Sequence, residues 1–175
     1  MGLYSMLRVS LDALYRWAGY LGAVFLIMIL GFVTLQMVSR WGGEIITGAP
    51  DFTGYCMAAA SFLALPYALN SGSHIRVSLL LNALGRFRKY GEIWCWAVAS
   101  YLTYLFARYA VKLTYESYRF NDISQGQDAW PIWIPQLSMV AGTILLAICA
   151  FDNLITILFT GKDNIRSAGI DTQAE

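Results

Sequence analysis

The chain has one histidine, three cysteines and four prolines in 175 residues, and only 13% of its residues are charged. Each scarcity removes a class of chemistry. With His74 as the sole imidazole, this chain cannot build a bis-histidine haem pair or a histidine-rich metal cluster. Cys56, Cys95 and Cys149 stand singly, without a CxxC pair. That excludes a disulfide framework and the paired thiols of a disulfide-generating membrane oxidase. The formal net charge is +1, and the basic residues lie at the ends of apolar runs, where anionic lipid headgroups would be, so nothing suggests a nucleic-acid surface. No constellation of catalytic groups emerges, so the sequence predicts neither an enzyme nor a bound cofactor or metal.

What the chain has in abundance is apolar length. A bilayer core of about 30 Å needs roughly 20 apolar residues in a helix. Trp17 to Ser39 supplies such a run before its first charge at Arg40. Phe52 to Leu69 is a second run, Ile93 to Ala107 begins a third, and Ile132 to Phe159 is a fourth interrupted only by Asp152. The runs are continuous rather than alternating, which argues against a β-barrel. Backbone groups in hydrocarbon must pair within their own helix. The expectation is an all-α integral membrane protein with four transmembrane helices, at about 17–39, 52–70, 92–115 and 131–159, plus amphipathic interfacial helices. These form one bundle over residues 1–161, followed by a polar tail at 162–175. The first run is longer than a signal-peptide core and no small-x-small site follows it, so it reads as retained.

Charge near the ends of the runs orients the chain. Arg8 and Arg16, then Arg76, Arg86, Arg88 and Lys89, then Lys162 and Arg166 fall on one side. The other side has Arg40, Arg108, Lys112 and Arg119. The excess of basic residues places both termini and the middle loop in the cytoplasm. Two stretches have helical amphipathic spacing. In residues 3–16, Leu3, Leu7, Leu11, Leu14 and Tyr15 oppose Arg8, Asp12 and Arg16, giving a helix that lies on the interface or extends the first span inward. In residues 76–90, Val77, Leu80, Leu81, Leu84 and Phe87 oppose Ser78, Asn82, Arg86 and Lys89. That second helix either anchors in phospholipid or braces a partner protein, since both reward an apolar face.

Charges inside apolar runs need a reason. Arg108, Lys112 and Glu116 recur every four residues on one face of the third run. They are either a polar path or, the preferred reading, outward snorkelling cations with Lys112 paired to Glu116 along the helix. Asp152 lies alone in the fourth run and reads as a hydrogen-bonded structural group beside Asn153, or as a contact to another subunit. Gly19, Gly22 and Gly31, and Ala58, Ala59, Ala60 and Ser61, mark places where helices can approach closely.

The segment from Ser61 through Pro66 and Asn70 into Gly72-Ser73-His74-Ile75-Arg76-Val77 resembles the signature of the small membrane subunit of tripartite ATP-independent periplasmic (TRAP) transporters, the DctQ-like family. In that family a G-x-H-I-R-V run follows the second span. Arg40 at the end of the first span, Asp51 at the start of the second and Pro131-Ile132-Trp133-Ile134-Pro135 before the fourth are also similar to the family. Ser78 departs from it, standing where an acidic residue is common.

The resemblance implies a non-catalytic scaffold in a bacterial inner membrane. Its partners would be a large elevator-type subunit, which takes up an organic acid or related solute with sodium, and a periplasmic solute-binding protein. His74 and Arg76 would then hold the middle loop against the large subunit or phospholipid, with Leu80, Leu81 and Leu84 as an apolar docking stripe and Arg108 and Asp152 as further contacts. The competing readings are a self-sufficient small ion or drug transporter, which would need Asp152 or Arg108 for flux, and a membrane enzyme, which lacks its residues.

Overall fold

The computed structural model describes residues 3–43, 46–71, 88–126 and 129–160, and within them four helices. Helix α1 runs unbroken over Leu3–Trp41. No proline interrupts it and its glycines are isolated, so nothing separates residues 3–16 from the span that follows. Of the two expectations for that stretch, the helix extends the first span and is not a separate interfacial element. The turn at Gly42-Gly43 ends α1, with Gly43 at φ 78° and its N–H donated to the Arg40 carbonyl at 3.2 Å.

Helix α2, Ala49–Asn70, begins after Gly48, whose φ of 80° is the left-handed conformation that a side chain disfavours. Pro50 sits in its first turn, where a missing N–H leaves no bond unmade, and Asp51 complements the positive end of the helix dipole. Helix α3 is Arg88–Arg119 and α4 is Trp133–Thr160. At 1.5 Å per residue the 22 residues of α2 reach about 33 Å, close to the thickness of a hydrocarbon core.

The helices lie in a row, α1 against α2, α2 against α4 and α4 against α3. The expected bundle takes the form of this open layer, and the residues at the seams explain it. Close helix approach in lipid requires small residues. Helix α3 buries one line of them, Ser100, Ala107, Ala110, Thr114 and Ser117, and α1 buries Ala18 and Gly22 on one face. Only the two central helices present small residues on both sides: Cys56, Ala59 and Ala60 in α2, and Gly142, Thr143, Ala147 and Ala150 in α4. Each edge helix therefore packs mainly on one neighbour, and α3 touches α2 besides through the Phe106 ring.

Two seams involve backbone contact. A Cβ added to Gly22 would lie 3.1 Å from the Ala60 carbonyl oxygen. At Gly142 it would overlap the Phe62 carbonyl. Pro66, inside α2, has no N–H to offer that carbonyl four residues earlier, so the kinked backbone is free to press against α4. Gly31, also expected at a seam, has nothing within 4 Å of its added Cβ.

Three helical segments are long and apolar enough to cross a membrane: Arg8–Trp41, Ala49–Asn70 and Trp133–Leu158. The third expected span, 92–115, does not qualify on composition although its helix is 32 residues long. Within that span Glu92, Arg108 and Lys112, together with Trp94, Trp96 and four tyrosines, dilute its apolar character. The layer thus has a terminal end, with the start of α1 and the last residues of α2 and α4, and a loop end, with Trp41, Ala49, Arg119 and Trp133.

Candidate assembly site

His74, Arg76, Leu80, Leu81 and Leu84, the residues that the middle-loop motif singled out, lie outside the described residues, as does the 76–87 part of the expected second interfacial helix. Arg108 and Asp152 are described, and the structure sets them apart: Arg108 is exposed on α3, and Asp152 is half-buried near the terminal end of α4.

Asp152 borders a polar junction of three helices. Asn70 Nδ2, on the last turn of α2, donates to Asp12 Oδ1 of α1 at 3.2 Å. Cys149 Sγ of α4 donates to the Pro66 carbonyl at 3.9 Å, and Asn153 Nδ2 donates to the Cys149 carbonyl at 2.8 Å. Tyr15 of α1 lies against Cys149 and is only 1% exposed, with Arg8, Asp12 and Asp152 as the charged groups of the neighbourhood. Asn153 Oδ1 is buried with no hydrogen-bond partner among the described residues.

The sequence reading identified Asp152 and named Asn153 only as its neighbour. In the structure Asn153 makes the side-chain bond, while Asp152 accepts Thr156 Oγ1 through its backbone carbonyl at 2.8 Å. Within residues 3–16 the structure adds a tertiary contact to the amphipathic pattern. Tyr15 does face inward, but Leu14 is exposed and Asp12 turns to α2. A partner for Asp12 on another helix has no signature in local periodicity. Geometrically, the junction ties α1, α2 and α4 together at one end.

The loop end has its own lock. Ser124 N–H donates to the Trp130 carbonyl at 2.7 Å and Ile132 N–H to the Asp122 carbonyl at 3.1 Å, folding the α3–α4 connection into a tight turn. Tyr55 Oη donates to Ser124 Oγ, and the Asp51 carboxylate sits against Gly126. Trp130 meets Phe52 edge-to-face at 5.2 Å, and Phe52 stacks on Phe32 at 6.1 Å. The tryptophan and proline cluster before α4, expected at the headgroup region, therefore also fastens this connection to α1 and α2.

Helix α3 has a third kind of face. Tyr90, Trp94, Tyr101, Arg108, Lys112 and Arg119 recur at helical spacing opposite the small residues that meet α4, and all are exposed. Lys112 Nζ approaches Glu116 Oε1 at 3.7 Å, the i,i+4 pair that the spacing predicts, and the Arg119 guanidinium lies 5.9 Å from the Phe120 ring centre. Arg108 makes no hydrogen bond or ion pair among the described residues.

All three cysteines are free thiols, Cys56 and Cys149 buried and Cys95 exposed. No curated protein and no solved structure matches the chain. A family model does: that for the DctQ component of tripartite ATP-independent periplasmic transporters matches residues 28–160, from the middle of α1 through the end of α4. Three quarters of the sequence is covered, including all of α2, α3 and α4, and the chain belongs to this family of membrane transporter components.

Proposed function

We propose that the chain is the non-catalytic small permease subunit of a TRAP transporter, scaffolding the large elevator-type subunit that takes up an organic acid or related solute with sodium and a periplasmic binding protein. The observation that carries this reading is where the polar groups of the apolar helices are used. Asp12 and Asn70 join α1 to α2 and Cys149 joins α4 to α2, while Asn153 is bonded within α4 beside them. A carrier site needs polar groups from several helices converging on a cavity at mid-depth, whereas these sit at a seam near one end. A rigid layer anchored in lipid gives the moving part of an elevator something to move against.

In this reading all four helices cross the membrane. Helix α3 must lead from the terminal end, where α2 finishes, to the loop end, where α4 begins, and it lies alongside α4. Its packing along α4 supports this crossing, although its composition falls short. The layer sits in a bacterial inner membrane with both termini cytoplasmic, an orientation that rests on the basic residues at the terminal end.

Flux measurement tests the proposal. Reconstituted alone, the chain should give no solute uptake; together with the large subunit and the binding protein it should support uptake driven by a sodium gradient. Robust uptake by the isolated chain would overturn the scaffold reading in favour of a self-sufficient transporter.

A further inference from the structure

The unpaired Arg108 stands at the middle of the layer. The centre of α2 falls at Ala59-Ala60, and Phe62 is two to three residues, about 4 Å, closer to the terminal end. The Phe62 ring meets the Phe106 ring of α3 with centres 6.0 Å apart. Arg108 is two residues, about 3 Å, beyond Phe106 toward the loop end, which returns it to the level of the α2 centre. If α2 fills the hydrocarbon core, Arg108 is about 15 Å from either headgroup layer, further than one arginine side chain extends by snorkelling.

This guanidinium projects from the face of α3 that points away from the rest of the chain, flanked by Tyr101 one way and Lys112 and Tyr115 the other. Beside it lies a groove of about 300 Å³ between α3 and α4, lined by Phe106, Tyr109, Lys112, Leu113, Glu116 and Met139. An arginine with five donors in hydrocarbon requires acceptors, and hydrocarbon has none. Tyrosines around it supply amphipathic contact area of the kind enriched at protein interfaces.

We propose that this face of α3 docks against a membrane helix of the large TRAP subunit that presents a carboxylate to Arg108 at mid-depth. The proposal rests on the assembly reading above and adds which edge of the layer is the interface. The carboxylate accepts the guanidinium in a charge-assisted pair, Tyr101 and Tyr115 frame it, and a neighbouring apolar side chain of the partner enters the groove.

The test is site-specific photo-crosslinking in membranes that contain this chain and the large subunit. A photoreactive amino acid replaces Tyr101 or Tyr115 on α3, or Leu26 or Leu30 on the free face of α1. The α3 positions should yield adducts with the large subunit and the α1 positions should not. In parallel, Arg108→Gln should lower the amount of large subunit recovered with this chain several-fold, Arg108→Lys should restore part of it, and the amount of this chain in the membrane should stay unchanged. Adducts from the α1 positions alone would overturn the proposed face while leaving assembly intact. Adducts between two copies of this chain, or a lack of protein adducts from α3 in a complex that still co-purifies, would also overturn it. If the large subunit does not co-purify with the unmodified chain, the assembly reading fails, and this proposal with it.

Discussion

The two edge helices have the same topological position and opposite surfaces. Each packs mainly on one neighbour and has one uncovered face. On α1 that face carries Leu26, Ile27, Leu30, Leu35 and Val38, with Leu26, Ile27 and Leu30 each at least 60% exposed. In this 26–38 stretch the hydroxyl of Thr34 is turned back onto the Leu30 carbonyl at 2.7 Å, and the exposed aromatics of α1, Trp17, Tyr20 and Trp41, lie nearer its two ends. On α3 the corresponding face carries tyrosine, tryptophan, arginine and lysine. A face that lipid tails can cover differs from one that needs acceptors, and exposure alone cannot tell them apart. In the proposed assembly the chemistry of the uncovered atoms gives the aliphatic stretch of α1 to lipid and the face of α3 to protein.

The most damaging way to disturb this arrangement is to part the two halves of the layer. Gly142→Val would put a branched side chain into the Phe62 carbonyl, at the seam that joins α1–α2 to α4–α3. Overpacking against backbone costs about 1–3 kcal/mol and often more, so thermal unfolding in detergent should shift down strongly, with loss of monodisperse protein. Gly31→Ala is the contrast. Nothing lies within 4 Å of its added Cβ, and an exposed helical glycine is worse than alanine by about 0.5–1 kcal/mol, so this variant should melt slightly higher. Equal effects at the two glycines would contradict the seam.

The next test exchanges the character of the edges. Leu30→Arg places a charge on the aliphatic face of α1 near the middle of its span; insertion scales put the penalty at about 2.5–3.5 kcal/mol for a central arginine. Membrane yield should fall accordingly, whereas Arg108→Leu should leave the yield of the isolated chain equal or higher. A glycosylation-based insertion assay reads both. If Leu30→Arg inserts as well as the parent chain, the α1 face meets protein or water and not lipid.

How much of this was legible beforehand depended on whether the signal was local. Three of the four helices follow from run length, because the bilayer imposes it. The i,i+4 pair Lys112–Glu116 and the turns at Gly43 and Gly48 are local as well. Gly19 and Gly22 were legible as packing residues, since small residues permit approach, yet the same rule misplaced Gly31. The row order α1–α2–α4–α3 was not legible, because small residues show that a face packs and not which helix it meets. The same limit hid Asp12–Asn70, a bond across 58 residues of sequence. The depth of Arg108 also depended on a tertiary contact, Phe62–Phe106, which moves it from the outward end of its helix toward the layer's middle.

A smaller effect is expected at the polar junction. Asn70→Ala removes the partner of Asp12 Oδ1 and one link between α1 and α2, while the Gly19 and Gly22 contacts remain. Hydrogen bonds to charged groups contribute about 1.5–3 kcal/mol when buried; here both residues are only partly buried, so the lower end applies. Thermal unfolding of the isolated chain should show a modest loss. Because α3 does not take part in the junction, recovery of the large subunit per folded chain should not change. A selective loss of assembly in Asn70→Ala would move the interface to the α1–α2 side and undo the assignment of α3.

The smallest effect is expected where the edge helix already satisfies its own charge. Lys112 and Glu116 pair at 3.7 Å with side chains 66% and 48% exposed, and exposed i,i+4 pairs contribute about 0.3–0.5 kcal/mol. Lys112→Met keeps the length and packing of the lysine stem and removes its charge, so the melting temperature of the isolated chain should hardly change. The same substitution leaves Glu116 without its cation on the face proposed to meet protein, a little over two turns, about 12 Å, along the helix from Arg108. Recovery of the large subunit should therefore fall a little, and Lys112→Met combined with Glu116→Gln should recover it, because the double variant leaves no uncompensated acid on that face. If the single and double variants assemble equally well, Lys112 and Glu116 lie outside the contact, and the docking face narrows to Tyr101, Arg108 and their neighbours toward the terminal end.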